Sequence, residues 1–481
     1  MKEVKPYDKY KRSGIVWLGD IPEHWEVESF KNILTERNEK NSPIKSKEIL
    51  SLSIDKGVTL YAEKTTNLDR FKDDYTQYKL AYKGDLVFNS MNMIVGAVGV
   101  SNYFGCVSPI YYTYSGGLKH SNSTKFYEYL FRCRIVQSFL YSLGKGLIAI
   151  DRGEGKYNTL RLKISRDDLR SLKLPFPNFS EQTAIANFLD YKTIKIDRFI
   201  RKKKQLIKLL NEQKAGIIND AVTKGLNPNT KVKPSGIESL GDIPEHWEVR
   251  KLKYIGKFQN GISAGAEYFG TGYPFISYGD VYKNFELPKT GTGLANSSES
   301  DRINYSVKKG DVFFTRTSET IEEIGFTSTC LRTIEDATFS GFIIRFRPYE
   351  NILFDGFSKY FFRSSLHRRF FVKEMNLVTR ASLSQELLKK LPVLIPSIDE
   401  QMEIVIYIEK ETAIINKTIS TIEKEIALVK EYRTALIAEA VMGKIDVREY
   451  TIPENFDDKN HEELEEELSI VGEEYTKQEA E

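Results

Sequence analysis

At 481 residues the chain is too long for one compact core and suits two to four domains. A hydrophobic fraction of 41% and a charged fraction of 28%, with no apolar run of bilayer length, exclude a membrane-spanning class. The net charge of +3 joins two opposed parts: residues 453–481 carry twelve Asp or Glu and two Lys, a net of −10, which leaves +13 on residues 1–452 and suits either a polyanion such as nucleic acid or ordinary surface charge.

The first residues, MKEVKPYDKYKRSGI, lack the apolar core of a signal peptide, and Cys106, Cys133 and Cys330 are too scattered for a disulfide framework or a Cys-rich zinc site. A cytoplasmic location is therefore expected. The first landmark is SGIVWLGDIPEHWEV at Ser13–Val27, which returns as SGIESLGDIPEHWEV at Ser235–Val249. YKGDLVFNS at Tyr82 returns as KKGDVFFTR at Lys308, with the offset changed from 222 to 226. Leu160-Arg161…Ile164…Leu169 matches Thr379-Arg380…Leu383…Leu388 at an offset of 219, and so do Pro177 with Pro396 and Glu181-Gln182 with Glu400-Gln401. The period is far longer than that of a solenoid, so a whole domain followed by a helix is duplicated in tandem.

Within each copy, GDLVFNS, GAVGVSNYFG, YPFISYGDVY and GFIIRFRPY read as short strands. TKFYEYLFRCRIVQSFLYSLGKG and FDGFSKYFFRSSLHRRFFVKEM have apolar residues at helical spacing. After the Pro-rich turns, Ser180 and Asp399 read as N-caps with an acidic residue following. Ile408, Ile415, Ile422, Val429 and Leu436 are spaced by seven, with Ile419 and Ile426 filling the four-residue step. Leu189, Ile196, Leu210 and Ile217 form the first copy's seam, with Phe199 and Leu206 beside it and Arg201–Lys204 on another face. Proline-free runs of this length predict two antiparallel helices of about 60 Å. The expected fold class is α+β: two tandem α/β domains joined by two long antiparallel coiled-coil helices, a pseudo-two-fold internal duplication.

Catalytic signatures are scarce. No Walker loop, H-E-x-x-H, C-x-x-C or amino-methyltransferase [DNS]-P-P-[FYW] motif occurs, and FGTGYP at Phe269 lacks the strand–turn–helix setting of a dinucleotide site. His24 and His246 sit among carboxylates, yet ligand partners are missing, and a framework role with Trp25 and Trp247 plugging cores fits better. No catalytic or metal-binding residue is assigned. Matched polar and basic loops remain. Asn89, Ser90, Lys145, Arg152, Lys156 and Arg161 in the first copy, and Arg316, Thr317 and Arg380 in the second, have side chains suited to base edges or phosphates, though each also suits a solvated surface, and Arg161 and Arg380 a brace at the junction.

The duplicated LGDIPEHWEV entry, the KGDLVFN and KGDVFFT phrases and the P-x-x-[SD]-E-Q turns together resemble the DNA-specificity subunit of Type I restriction–modification systems, from Ser13 to about Lys444. The resemblance implies two target-recognition domains (residues 1–173 and 233–390), each reading half of a split double-stranded site. A spacer helix with linker (174–232) and a second spacer helix (391–446) would fix the gap, and an acidic tail (447–481) is expected to be disordered or loosely helical. It also implies two methyltransferase subunits that bring S-adenosylmethionine and adenine-N6 chemistry, and it allows restriction–translocase subunits with ATP and Mg to join. This chain itself would be non-catalytic and hold no cofactor. A free-standing two-headed adaptor without an enzyme partner is the alternative. The two part at the outer helix faces, where Ile185, Ile404, Val405 and Ile414 lie outside a strict seam and are candidates for docking a partner.

Overall fold

The structure, a computed structural model, describes residues 4–63, 74–116, 122–146, 162–237, 241–318, 324–374 and 381–453. The described chain divides into two units. The first takes residues up to Lys203 together with those from Lys424 on; the second is Lys204–Glu423.

Each unit is built on a four-stranded antiparallel sheet. In the first the order is Thr35–Arg37, Tyr111–Ser115, Leu86–Asn89, Val98–Val100. In the second it is Gly256–Asn260, Ile343–Pro348, Val312–Thr315, Thr327–Thr329. Chain order maps onto sheet position identically in both, so the duplication read from short phrases extends to topology. The strand that begins at the end of each repeated phrase pairs with the strand before each long helix: Glu26–Ser29 with Lys173–Phe176, and Glu248–Lys251 with Pro392–Ile395.

Both faces of each sheet are covered, because strand residues alternate sides. Leu86 and Phe88 join the main core of the first unit, while Val87 joins a smaller core with Leu50, Leu52 and Val58 of the hairpin Leu50–Ser53/Gly57–Leu60. Val312 and Phe314 likewise join the main core of the second unit, and Phe313 packs with Ile276, Cys330 and Phe339. There the second layer is different: Phe269–Ile276 lies between Gly293–Ala295 and Thr338–Phe339. The framework layer is therefore shared and the outer layer has diverged. The run after Ile276 departs from the strand expectation. Ser277 and Asp280 form a reciprocal capping box, which starts a helix at Tyr278–Lys283.

The amphipathic runs fold as helix pairs rather than single helices: Thr124–Arg132 with Arg134–Leu143, and Asp355–Phe361 with Ser365–Glu374. In the first pair Cys133 is extended, and the Gln137 side chain donates to the freed Arg132 carbonyl at 2.9 Å. In the second pair His367 is fully enclosed between Phe361 and Phe362, and burial, then the neighbouring Arg368, pull its imidazole down to about 3. The unfolded chain thus binds a proton below about pH 6.5 that the folded unit rejects, so stability falls with pH through that window. Acidification from pH 7 to pH 5 is expected to cost about 2 kcal/mol at this residue. Urea midpoints at the two pH values should show most of that loss disappearing in His367→Phe; an undiminished loss would count against this assignment.

The long helices span Phe179–Lys224 and Ile398–Val441, 46 and 44 residues. At 1.5 Å per residue these are about 69 and 66 Å, slightly longer than expected. Within the first unit Asp197 pairs with Arg433 and Lys203 with Glu425, so rising numbers meet falling ones and the segments run antiparallel. Within the second, Lys214 donates to Asn416 at 2.8 Å, and Ile218 and Val222 share a core with Ile404 and Ile408. The N-caps lie two residues earlier than Ser180 and Asp399. Asn178 Oδ1 accepts from the Glu181 amide at 2.9 Å, and Ser397 Oγ from the Glu400 amide at 3.2 Å, the geometry of a cap and its third helical residue. The acidic residue therefore sits one turn in, where its side chain is free for another partner.

Of the four residues proposed for the outer faces, Ile185, Ile404 and Val405 are buried in the cores of their units, and only Ile414 is exposed. The second helix also exposes Met402, Ile406 and Tyr407 in the second unit and Leu428 and Tyr432 in the first. The acidic tail begins later than residue 447: Val447 is buried, and the Tyr450 ring packs 4.8 Å from that of Phe188. Residues 454–481 lie outside the described residues.

The two repeated phrases answer each other. Trp25 is fully buried, and its Nε1 donates to Glu181 Oε1 at 2.9 Å, while His24 Nε2 lies 2.9 Å from Oε2. In the second unit Trp247 donates to Glu400 Oε1 at 3.0 Å and His246 lies 2.9 Å from Oε2. The first unit adds the Tyr7 hydroxyl, which donates to Glu181 Oε1 at 2.6 Å. The adjacent glutamine fastens the helix start to the rest of its unit. Gln182 accepts from the Ser123 amide and donates to Pro177 O; Gln401 accepts from the Phe354 amide and donates to Pro396 O. The His-Trp and Glu-Gln motifs are two halves of one clasp between a domain's entry and its exit helix.

Candidate nucleic-acid interface

The K-G-D phrases set up one end of each sheet. Gly84 and Gly310 take left-handed φ angles of 89° and 87° in the turn, a conformation that suits glycine. Asp85 then accepts from the Tyr82 amide, and Asp311 from the Lys308 amide. Both carboxylates are buried and gripped by two nitrogens of an arginine, but the arginines come from different strands: Arg37 from the first strand for Asp85, and Arg347 from the last for Asp311. The strand after each Asp is thereby fixed, and its far end carries Asn89-Ser90 or Thr315-Arg316-Thr317.

The proposed residues are partly gathered there. Asn89 is half-buried and its Oδ1 accepts from the Met91 amide. Ser90 is fully buried, and its carbonyl accepts from the Ile164 amide at 3.1 Å. Lys145 is exposed, with Nζ 3.5 Å from Asp168, in a short strand pairing with Leu162–Lys163. In the second unit the Arg316 amide donates to Phe342 O, its carbonyl accepts from the Leu383 amide, and Thr317 pairs with Ser382. Arg152, Lys156, Arg161 and Arg380 lie outside the described residues.

The same sheet ends hold residues that the sequence reading passed over. Arg166 Nε is 3.2 Å from Glu36, Nη2 is 3.4 Å from Asn38 Oδ1, and the guanidinium lies over the Tyr112 ring. Beneath it, burial, then repulsion from Arg166, bring the Lys79 ammonium down to about 8, and its Nζ donates to Tyr111 O. In the second unit Gln385 Nε2 donates to Asn260 Oδ1 at 2.8 Å, near the exposed Phe342. The signal was available: Arg166 and Gln385 are 219 apart and Asn38 and Asn260 are 222 apart, the offsets of the flanking repeats. One sheet end gathers cations and amides in the first unit, and an arginine, amides and an exposed aromatic ring in the second, which is chemistry for phosphates and base edges. Among the described residues no cluster of His, Cys, Asp and Glu is placed to hold a metal, and no helix is long and apolar enough to cross a membrane.

Comparison with known proteins agrees in kind. A family model described as the type I restriction modification DNA specificity domain matches residues 244–428. The putative type I restriction enzyme MjaX specificity subunit of Methanocaldococcus jannaschii is 26% identical over 329 residues, covering 61% of this chain and 69% of that protein. The type I restriction enzyme EcoKI specificity subunit of Escherichia coli K12 is 24% identical over 296 residues, 60% of each chain. The chain thus spans about two thirds of the length of these curated relatives. A solved chain from a study of complex assembly and conformational transition of the type I R-M system superposes with a TM-score of 0.63 at 12% identity, over 88% of this chain and 98% of that one, and shares its fold.

Proposed function

We propose, for a chain that belongs to the DNA-specificity family of Type I restriction–modification systems, that each unit reads one half of a bipartite, asymmetric double-stranded DNA site. The observation that carries this is the pairing of one framework with two unlike outer layers. Identical strand orders and matching His-Trp to Glu clasps hold unlike inserts, and two unlike inserts are suited to two unlike half-sites. The length of the paired helices sets the unread gap. Their exposed apolar residues, Ile406 and Ile414 in one unit and Leu428 and Tyr432 in the other, dock two modification subunits. Those subunits supply S-adenosylmethionine and the transfer of a methyl group to adenine N6, after flipping the base from the stack. The same cytoplasmic assembly has room for restriction–translocase subunits using ATP and Mg, and methylation does not depend on their presence. This chain supplies binding and geometry. The surplus of +13 on residues 1–452 supplies the salt-sensitive, sequence-independent part of the affinity.

The exposed apolar side chains favour this over a free-standing adaptor, since they lie outside both the seam and the domain cores. The test is co-purification with the modification subunit, followed by methylome sequencing of cells carrying both. A bipartite methyladenine motif that vanishes when this chain is deleted is expected. Absence of a bound subunit together with absence of any such motif would sink the reading.

A further inference from the structure

We propose that Arg166 and Gln385 are equivalent base-reading positions, one in each unit, and that the exchange of guanidinium for carboxamide is part of what makes the half-sites differ. This rests on the DNA-reading function above and deepens it. The two positions share their scaffold closely. Each directly follows a serine, Ser165 or Ser384, whose Oγ accepts from the amide three residues on, at 3.1 Å in both units. Each is anchored from behind by a fully buried Ile164 or Leu383 and from ahead by a fully buried Leu169 or Leu388. Each side chain reaches an asparagine at the end of the first sheet strand, Asn38 or Asn260. A position that only braced the sheet end would be served by one residue type in both copies. Here the serine cap, the asparagine and a buried aliphatic residue on either side are kept, while the head group changes from guanidinium to carboxamide.

The head groups have distinct chemistry. A guanidinium offers two parallel donors to guanine O6 and N7; a carboxamide donates to adenine N7 and accepts from N6. Both side chains are only partly covered. The Arg166 side chain is 39% exposed, and its contacts to Glu36 and Asn38, at 3.2 and 3.4 Å, are loose enough to exchange for a base. Lys79 adds positive potential without competing for the base edge, because it is buried, with its Nζ donating to Tyr111 O.

The test uses the full chain co-expressed with its modification subunit, with the methylome as readout. Arg166→Gln is expected to move the preference at one position of one half-site away from guanine by roughly tenfold or more, leaving the other half-site unchanged. Gln385→Arg is expected to alter the opposite half-site only, toward guanine. A merely structural role would lower the level of methylation at an unchanged motif, so unchanged motifs in both variants overturn the proposal. If Arg166→Gln yields no methylation at all, Gln385→Arg decides alone, and an unchanged motif there overturns it. A wild-type chain without any bipartite motif would instead refute the proposed function, so the two failures are distinguishable.

Discussion

Replacing Glu181 by alanine is expected to destabilise the first unit by about 3 kcal/mol, and replacing Glu400 to destabilise the second by about half as much. Glu181 is nearly fully enclosed and accepts from the Trp25 indole and the Tyr7 hydroxyl at the same oxygen. Removing the carboxylate strands two buried donors, each costing roughly 1–3 kcal/mol when left unsatisfied. His24 is partly exposed, so water takes over its bond and adds little. Glu400 serves one buried donor, Trp247, and its side chain is 22% exposed, so water can enter after truncation. Hydrogen exchange resolved by segment should show faster opening of the first unit in Glu181→Ala and of the second in Glu400→Ala. Equal effects, or effects below 1 kcal/mol at Glu181, would mean that the clasp is not what holds the helix start. The double variant should be additive, since the two clasps belong to different units.

The clasp also explains why some of this molecule was legible in its sequence. A motif that repeats as two separated phrases, His-Trp early and Glu-Gln late, persists in both copies because each phrase contacts the other. The long helices were legible from seven-residue spacing and absence of proline, and Ile408, Ile415 and Ile422 are buried as that spacing requires. Their caps were misplaced because Ser180 and Asp399 are good capping residues by type; the choice fell to Asn178 and Ser397, which directly follow the strand-ending prolines. The break at Cys133 was invisible, since apolar spacing continues across it and the stabilising bond comes from Gln137. The outer layers were the least legible part. Their cores depend on which face Val87 and Phe313 turn to, and on strand partners distant in the chain. At the candidate interface, residue type alone selected Ser90, which is buried, and did not single out the partly exposed Arg166 and Gln385. The repeat offset holds the information that type does not, because it identifies positions the framework has kept while the side chain changed.

Ending the chain at Glu423 should abolish folding of the first unit and leave the second intact. The first unit is not closed by its own leading segment. Leu436, Ala440, Val441 and Met442 from the end of the second long helix, with Val447 beyond it, are buried in the same core as Trp25, Phe126 and Phe188. Gly443, at a left-handed φ of 68°, sits where a side chain would strike the ring of Pro22, and the Asp446 amide donates to Lys5 O at 2.7 Å. Burial of Leu436, Val441, Met442 and Val447 contributes roughly 1.5–3 kcal/mol each, about 6–12 kcal/mol together. A domain's whole margin is about 5–15 kcal/mol, so losing this segment consumes it. The second unit keeps its helix contributions, because Ile218, Val222, Ile404, Val405 and Ile408 all precede the cut. Hydrogen exchange of the truncated chain is expected to show residues 4–203 unprotected and 204–423 protected, whereas ending the chain at Pro453 should leave both protected. Protection of both units after the cut at Glu423 would show that the first domain closes without the second helix. Each unit is thus completed by the far end of the long helix whose start lies in the other copy, Val441 and Met442 in the first unit and Ile218 and Val222 in the second.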